Sequence, residues 1–125
     1  MAHQTTVLIA EDDRDMRTLL CDELWGAGYR LREAQDGDEA FRAVLEAPPD
    51  VIVTDFRMPA GGAAYISRLH TVAPHCPIIV MTAFGGAKVR EEVMHAGASA
   101  YFEKPVRIPH VKAKVEELLF NSNPG

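Results

Sequence analysis

The aspartate at position 55 stands where a buried strand would not be expected to carry a charge. It closes the run Val51-Ile52-Val53-Thr54-Asp55, which opens with three β-branched apolar residues and predicts a strand buried on both faces. In open α/β sheets, ligands bind outside the carboxyl ends of the strands, which is where Asp55 would lie. An aspartate after a strand can also be only a helix cap or a turn former, so the other strand ends must decide.

Polar side chains also follow three other short apolar runs. Residues 6–10 are followed by three acids, residues 78–81 by a threonine, and residues 100–102 by a glutamate and a lysine. Taken singly, these side chains have ordinary explanations as helix-start, turn or solvated residues. Because the carboxyl ends of parallel strands share one edge of a sheet, we expect them to meet there. The set comprises Glu11, Asp12, Asp13, Asp55, Thr82 and Lys104.

Such a set of side chains favours a hard cation and a phosphoryl group. Close carboxylates repel one another and call for a positive ion, and oxygen ligands without nearby histidine or cysteine suit Mg²⁺ best. A carboxylate can also attack phosphorus as a nucleophile, as in aspartyl-phosphate enzymes. The hydroxyl of Thr82 and the ammonium of Lys104 would then hold charged phosphoryl oxygens.

Five strands alternating with five helices would position these side chains. The strands are predicted at residues 6–10, 29–34, 51–55, 78–82 and 100–102, with the second near an edge of the sheet. Asp13 is a good N-cap for the first helix, and Pro109 suits the first turn of the last. Strict alternation predicts an α/β fold with a doubly wound parallel sheet and helices on both faces. Apolar residues at helical spacing mark the helices, including Leu19 in the first and Leu45 in the second.

The composition describes one ordinary globular domain over residues 1–125. The chain is 47% hydrophobic and 25% charged, and its net charge of −5 argues against nucleic-acid binding. Cys21 and Cys76 form no CxxC pair and are expected to be free, packed thiols in a reducing compartment. We find no membrane-length apolar run and no signal-peptide pattern, so we expect a cytoplasmic location. The five histidines lack zinc-ligand spacing and are interpreted as surface residues; they are His3, His70, His75, His95 and His110.

Over about residues 5–120 the chain resembles the receiver domains of two-component response regulators, the family of CheY. The resemblance rests on the order and spacing of four motifs: Val7-Leu8-Ile9-Ala10-Glu11-Asp12-Asp13, Val51 to Pro59, Val80-Met81-Thr82-Ala83 and Tyr101-Phe102-Glu103-Lys104-Pro105. It implies a (βα)5 flavodoxin-like sheet with strand order 2-1-3-4-5. It also implies a phosphoacceptor switch in a two-component phosphorelay.

The resemblance assigns a role to each motif residue. Asp55 would accept the phosphoryl group from a phosphohistidine of a sensor histidine kinase or a phosphotransfer protein. Mg²⁺, for which Mn²⁺ could substitute, would be held by Asp12 and Asp55 directly, by Glu11 through water and by the backbone carbonyl of Arg57. Thr82 would bond a phosphoryl oxygen, and Lys104 would pair with Asp55 or its phosphoryl group. Tyr101 would be an aromatic switch, and the Lys104–Pro105 peptide would be cis.

Phosphorylation would then alter the face formed by the fourth helix, the fifth strand and the fifth helix. On this chain that face is expected to include Lys88, Arg90, His95, Arg107 and Lys112. The protein would be a regulatory phosphoacceptor that loses its acyl phosphate slowly to water, not an enzyme. A phosphorylation-dependent homodimer through the fourth and fifth helices, the kinase, the output and the question of a longer parent protein all stay open.

Several positions depart from the family pattern. Ala63 occupies a position that usually holds glycine, and the interval from Asp55 to Thr82 is about one residue short, so the third helix or the loop before it is expected to be irregular. Arg57 and the bulky Phe84 flank the site and are predicted to shield the acyl phosphate from water. Trp25 is expected to cover the core contact of the first helix, with a partner site as the alternative.

Three competing functions are weighed against the phosphoacceptor switch. A phosphatase of the haloacid-dehalogenase type needs a second aspartate two residues after the nucleophile, where this chain has Arg57. A flavin-binding flavodoxin-like protein needs a Ser/Thr/Gly-rich first loop, which is absent from the sequence. A phosphorylation-independent receiver-like interaction module remains as the alternative, because Arg57, Phe84 and the short loop are unusual.

Overall fold

A computed structural model describes residues 4–122 and shows five strands alternating with five helices over that range. The strands are β1 Thr6–Ala10, β2 Arg30–Ala34, β3 Val51–Asp55, β4 Ile78–Thr82 and β5 Ala100–Glu103. The helices are α1 Arg14–Gly26, α2 Gly37–Glu46, α3 Ala63–Val72, α4 Ala87–Ala96 and α5 Ile108–Ser122. The sequence from Asn121 to Gly125 predicts a frayed tail, but residues 121 and 122 belong to α5; the rest of that stretch and His3 lie outside the described residues.

The strands form one parallel sheet in the order β2-β1-β3-β4-β5, which confirms the predicted fold class and strand order. The two edges are β2 and β5, so the weaker second strand lies at an edge as predicted. All five residues of β3 are buried, as its run of β-branched residues requires. The central position of β3 places Asp55 between the carboxyl ends of β1 and β4.

Helices cover both faces of the sheet. Leu20 and Leu24 of α1 and Val111 and Val115 of α5 pack on one face, together with alternate strand residues such as Val53. Residues of α2, α3 and α4 pack with the intervening strand residues on the other face. This alternation follows from the two-residue side-chain period of a strand.

Capping side chains and glycines begin the helices next to the site. The Asp13 carboxylate accepts hydrogen bonds from the backbone N–H groups of Asp15 and Met16, which confirms the predicted N-cap of α1. The Asp36 carboxylate caps α2 in the same way. α3 and α4 instead follow Gly62 and Gly86, whose positive φ angles of 90° and 119° suit a glycine.

The predicted irregularity lies in the loop before α3 and not in the helix, which runs without interruption. Within residues 4–122, Ala60 is the only residue other than glycine with a positive φ, at 59°. A Cβ atom added at Gly61 would lie 2.7 Å from the carbonyl oxygen of Phe56, so the loop folds tightly over the end of β3. The irregular backbone therefore lies just beyond Asp55.

Some predicted core contacts were wrong. The Trp25 side chain is 71% exposed and so does not cover the core, and Leu45 and Leu19 are 57% and 55% exposed. Among the cysteines, Cys76 is buried and Cys21 is half-buried, and both are free, as predicted. Within residues 4–122, no helix has the length and apolar character needed to cross a membrane.

Candidate functional site

Asp55 lies at the carboxyl end of the central strand and is only 4% exposed. Its Oδ2 atom is 3.5 Å from the Nζ atom of Lys104. Its Oδ1 atom is buried and has no hydrogen-bond partner, the one such side-chain atom among the described residues. Because an unpartnered buried carboxylate oxygen is costly, this atom indicates a position prepared for a ligand.

Three carboxylates converge at this edge of the sheet. One oxygen each from Glu11, Asp12 and Asp55 can be chosen so that all three lie within 4.8 Å of one another. Glu11 is fully buried and Asp12 is exposed, so the cluster reaches from the sheet edge to the solvent. Burial raises the pKa of Glu11 to about 7, and the nearby Asp55 charge adds to the effect, although the hydrogen bond from Lys104 opposes it.

Lys104 supplies the positive charge beside these acids. Its Nζ atom donates a hydrogen bond of 2.6 Å to Glu11 Oε1, so it pairs more closely with Glu11 than with Asp55, its expected partner. Burial acts to lower the pKa of Lys104, but the hydrogen bond to Glu11 and the neighbouring acid charges outweigh it and raise that pKa. The backbone N–H of Lys104 donates to the carbonyl of Thr82 at 2.8 Å, and the Lys104–Pro105 peptide is cis, as predicted.

Thr82 ends β4 and is fully buried. It lies on the side of Asp55 opposite to β1, which is followed by Glu11 and Asp12. Its hydroxyl accepts a hydrogen bond of 3.3 Å from the backbone N–H of Phe84. The same hydroxyl donates to the Phe84 carbonyl oxygen at 3.5 Å, a contact so long that it can be exchanged for one with a stronger acceptor at modest cost. The structure thus brings Thr82 to the same edge as the acids, as the strand pattern predicted.

Two supporting side chains were not identified from the sequence. Arg17 of α1 donates a 2.7 Å hydrogen bond to the carbonyl oxygen of Glu11 and a 3.0 Å bond to the Glu33 carboxylate, which holds the acidic loop in place. Tyr65 of α3 forms a buried 2.9 Å hydrogen bond with the Thr54 hydroxyl beneath Asp55. The signal for Arg17 was a basic residue one helical turn after the N-cap Asp13, whereas Tyr65 resembled an ordinary core residue.

Arg57 and Phe84 flank the site from the two loops that follow β3 and β4. The guanidinium carbon of Arg57 lies over the ring of Phe84, 5.5 Å from its centroid, which is within the range of a cation–π contact. The Phe84 side chain is 69% exposed, and Arg57 is also exposed. The two predicted flanking residues therefore contact each other above the edge that carries Asp55.

Tyr101 and the basic residues lie on the neighbouring face. Tyr101 is half-buried on β5, and its hydroxyl donates to the Glu103 carboxylate at 3.4 Å. The predicted basic residues of this face are exposed, apart from Lys112, which is half-buried; the exposed ones are Lys88, Arg90, His95 and Arg107.

The donor set fits Mg²⁺. It offers three carboxylates, an unpartnered Asp55 oxygen, and no histidine or cysteine in the cluster found among the described residues. Mg²⁺ favours such oxygen ligands and keeps several waters, which the exposed Asp12 would allow. The role of the Arg57 backbone carbonyl as a further ligand stays a prediction.

Comparison with known proteins agrees with this geometry. The family model described as "Response regulator receiver domain" matches residues 7–116. Response regulator MprA of Mycobacterium sp. (strain KMS) is 33% identical over 119 residues, which are 94% of this chain and 52% of that protein. Sensor histidine kinase TmoS of Ectopseudomonas mendocina is 32% identical over 119 residues, which are 93% of this chain and 12% of that protein.

Solved structures share the fold closely. The receiver domain of the Francisella response regulator 1452 superimposes with a TM-score of 0.90 at 26% identity, covering 96% of this chain and 100% of that one. The chain spans about half the length of MprA, so these likenesses concern the part that contains the sheet and its acidic edge. With a family match across most of its length and the acid, hydroxyl and ammonium side chains at one sheet edge, this chain belongs to the response regulator receiver domain family.

Proposed function

We propose that Asp55 accepts a phosphoryl group from a phosphohistidine and that the chain acts as a signalling switch through this modification. The observation that carries the proposal is the buried, unpartnered Oδ1 atom of Asp55, beside two other acids and Lys104. The donor would be a sensor histidine kinase or a phosphotransfer protein. In this view residues 1–125 form a single receiver domain with a core at about residues 5–120.

The chemistry requires one bond to form and one to break. A carboxylate oxygen of Asp55 bonds to phosphorus while the P–N bond to the donor imidazole breaks and its electron pair stays on the ring nitrogen. Lys104 can move its ammonium from Glu11 toward the phosphoryl oxygens, and Thr82 can turn its hydroxyl to the same group. These two side chains stabilise charge where it develops.

A Mg²⁺ ion would be held by Asp12, Asp55, the Arg57 carbonyl and, through water, Glu11, with Mn²⁺ as a substitute. When bound, it would neutralise charge on the phosphoryl oxygens. The protein would assist its own phosphorylation and lose the phosphate slowly to water, acting as a regulatory phosphoacceptor without a separate enzymatic activity.

The response would pass to the face formed by α4, β5 and α5. Drawn toward the phosphoryl group, Thr82 would leave room for Tyr101 to turn inward, and the surroundings of the exposed basic residues would change. The cytoplasmic location remains a prediction, whereas the output partner and a phosphorylation-dependent homodimer through this face stay open. We expect no direct contact of this segment with nucleic acid or membrane.

Intact-protein mass spectrometry after incubation with acetyl phosphate tests the proposal. We expect one phosphoryl mass on the wild type in the presence of Mg²⁺, none without metal, and none on Asp55→Asn. Beryllofluoride, which mimics the phosphoryl group, serves as a second probe in case the adduct hydrolyses quickly. If neither probe modifies the wild type or perturbs the α4 face, the phosphorylation-independent interaction module becomes the better description.

A further inference from the structure

The carboxylate of Glu103 joins two elements that meet beside the site. Its Oε1 atom accepts a hydrogen bond from the Tyr101 hydroxyl at 3.4 Å and another from the backbone N–H of Gly86 at 3.3 Å. Gly86 is the residue that precedes α4, and no side chain within its own helix caps that start. Glu103 therefore links the end of β5, the hydroxyl of Tyr101 and the beginning of α4.

Gly85 leaves the space in which the Tyr101 hydroxyl lies. A Cβ atom added at Gly85 would be 2.2 Å from that hydroxyl and 2.7 Å from the Cδ atom of Glu103. Real Cβ atoms do not approach other atoms so closely, so any side chain here would displace Tyr101 or Glu103. Gly85 does not have a positive φ, so its backbone would accept an alanine and the constraint is one of space alone.

We propose that Gly85 and Glu103 form a seat that holds Tyr101 in its resting position and so restrains activation. Glu103 supplies the hydrogen-bond acceptor, and Gly85 leaves the space for the Tyr101 hydroxyl. The hydrogen bonds of the seat are long, so they bias the position of Tyr101 without locking it. This inference rests on the proposed function, since it concerns the residue through which that switch would act.

The seat is connected to the residues that would contact the phosphoryl group. Glu103 pairs with Thr82 in the sheet register, and it precedes Lys104 in the chain. Gly85 lies three residues after Thr82 on the same loop. A displacement of Thr82 toward a phosphoryl group would therefore move the loop that contains Gly85. Because this loop is part of the seat, the same movement would release Tyr101.

Fluorine NMR of the protein labelled with 3-fluorotyrosine tests the seat directly. The chain has three tyrosines, so the Tyr101 resonance can be assigned by a Tyr101→Phe variant. In the free protein, we expect Gly85→Ala and Glu103→Ala to shift this resonance toward its position in the beryllofluoride-bound wild type. Glu103→Gln, which keeps an acceptor oxygen, is expected to shift it less.

The matched controls are Gly26→Ala, where an added Cβ meets nothing within 4 Å, and Glu46→Ala, an exposed acid at the end of α2. Both should leave the Tyr101 resonance unchanged.

Since a restraint on the resting state lowers the apparent affinity for a ligand of the active state, Gly85→Ala should also bind beryllofluoride with Mg²⁺ more tightly than the wild type, by about threefold or more.

The proposed seat would be contradicted if the Tyr101 resonance were unchanged in both Gly85→Ala and Glu103→Ala without beryllofluoride. Circular dichroism would verify that both variants are folded. A wild-type resonance that ignores beryllofluoride would instead count against the proposed function. In that case the seat can still be tested in the free protein, by comparing the Tyr101 resonance of the wild type with that of the two variants. The two failures are thus distinguishable.

Discussion

A single ammonium group stands against three carboxylates at the site. Lys104 is 2.6 Å from Glu11 and 3.5 Å from Asp55, and its own side chain is 21% exposed. An uncompensated carboxylate in such a place would be strongly disfavoured, since burial already raises the pKa of Glu11 to about 7. The resting site therefore depends on the positive charge of Lys104, and the reaction would require the same charge to move to the phosphoryl group.

Replacing that charge should disable the site without unfolding the protein. We expect Lys104→Gln to slow phosphorylation by acetyl phosphate about 100-fold, the usual cost of losing one group that stabilises developing charge. Lys114→Gln, which removes a half-buried lysine paired with Glu117 on α5, is the control and should react like the wild type. A rate for Lys104→Gln within twofold of the wild type would contradict the assigned role.

The contact between Arg57 and Phe84 should govern how long the acyl phosphate lasts. Because the two side chains meet above the edge that carries Asp55, their removal should admit water, and the double variant Arg57→Ala, Phe84→Ala should lose its phosphate several-fold faster. The decay of the phosphorylated mass with time measures this directly. Arg68→Ala, which removes a similar cation–π contact with Phe41 away from Asp55, is the control. A half-life in the double variant equal to or longer than that of the wild type would refute the shielding.

The buried thiol of Cys76 should lower the free energy of unfolding at alkaline pH. Burial raises the pKa of the Cys76 thiol from 9.0 to about 12, so between these values the unfolded chain releases a proton that the folded chain keeps. The free energy of unfolding should therefore fall as pH rises through this window, by up to about 1.4 kcal/mol per pH unit for one proton. Urea unfolding of wild type and Cys76→Ala at several pH values isolates this slope, because the variant lacks it. Parallel curves for the two proteins would contradict the assignment.

The residues of the site were predictable because their positions follow from strand ends. Asp55, Thr82 and Lys104 needed only the rule that parallel strands share a carboxyl edge. The partner of Lys104 was not predictable. Its Nζ atom lies 2.6 Å from Glu11 and 3.5 Å from Asp55, and the side-chain rotamers decide which of these two distances is shorter. Arg17 and Tyr65 were missed because their contacts depend on the directions of side chains between neighbouring elements, which the spacing of residues does not specify.

At the scale of elements, strands were easier to predict than the exposed faces of helices. Continuous β-branched runs can only be buried, and all five strands appear where they were expected. In the helices, Leu19, Trp25 and Leu45 fall at apolar spacing yet lie exposed, since α1 and α2 bury only a narrow stripe, which in α1 consists of Leu20 and Leu24. Helical spacing gives the period of a pattern but not the width of the face that the sheet covers.

The first turn of α2 packs against the loop that follows Asp55. The backbone N–H of Gly37 donates to the Pro59 carbonyl at 2.9 Å, and a Cβ atom at Gly37 would lie 1.9 Å from the Ala60 carbonyl oxygen. Both partners are backbone atoms, so neither can rotate away. This contact supports the tight loop that follows β3.

Gly37→Ala should therefore destabilise the protein by about 1–3 kcal/mol, the typical cost of overpacking. Urea unfolding would measure the change, and Gly26→Ala, with open space around its Cβ position, is the matched control. If the two variants were equally stable, the loop would not restrict the space at Gly37 as the structure indicates.

At the scale of the whole molecule, three carboxylates meet at one edge of a sheet whose interior is apolar. The cluster of Glu11, Asp12 and Asp55 stores repulsion in the native state that the extended, unfolded chain relieves. A cation that binds only the folded chain should therefore stabilise it by mass action.

Magnesium should accordingly raise the free energy of unfolding by about 1.4 kcal/mol when present at ten times its dissociation constant. Urea unfolding with and without Mg²⁺ measures this gain, which Asp12→Asn should reduce. Asp38→Asn, an acid in the first turn of α2, serves as the control for a general loss of negative charge. An equal gain in Asp12→Asn and the wild type would show that the metal binds elsewhere.

The pairing of Lys104 with Glu11 joins residues 93 positions apart and thereby sets an order of assembly. On a ribosome, the acids of β1 and β3 and the hydroxyl of β4 emerge well before the lysine that follows β5. Until β5 adds to the edge of the sheet, a nascent chain holds every acid of the site and no ammonium to balance them. A partly synthesised chain could thus begin to fold, but it would respond to a phosphate donor only after its last strand had docked.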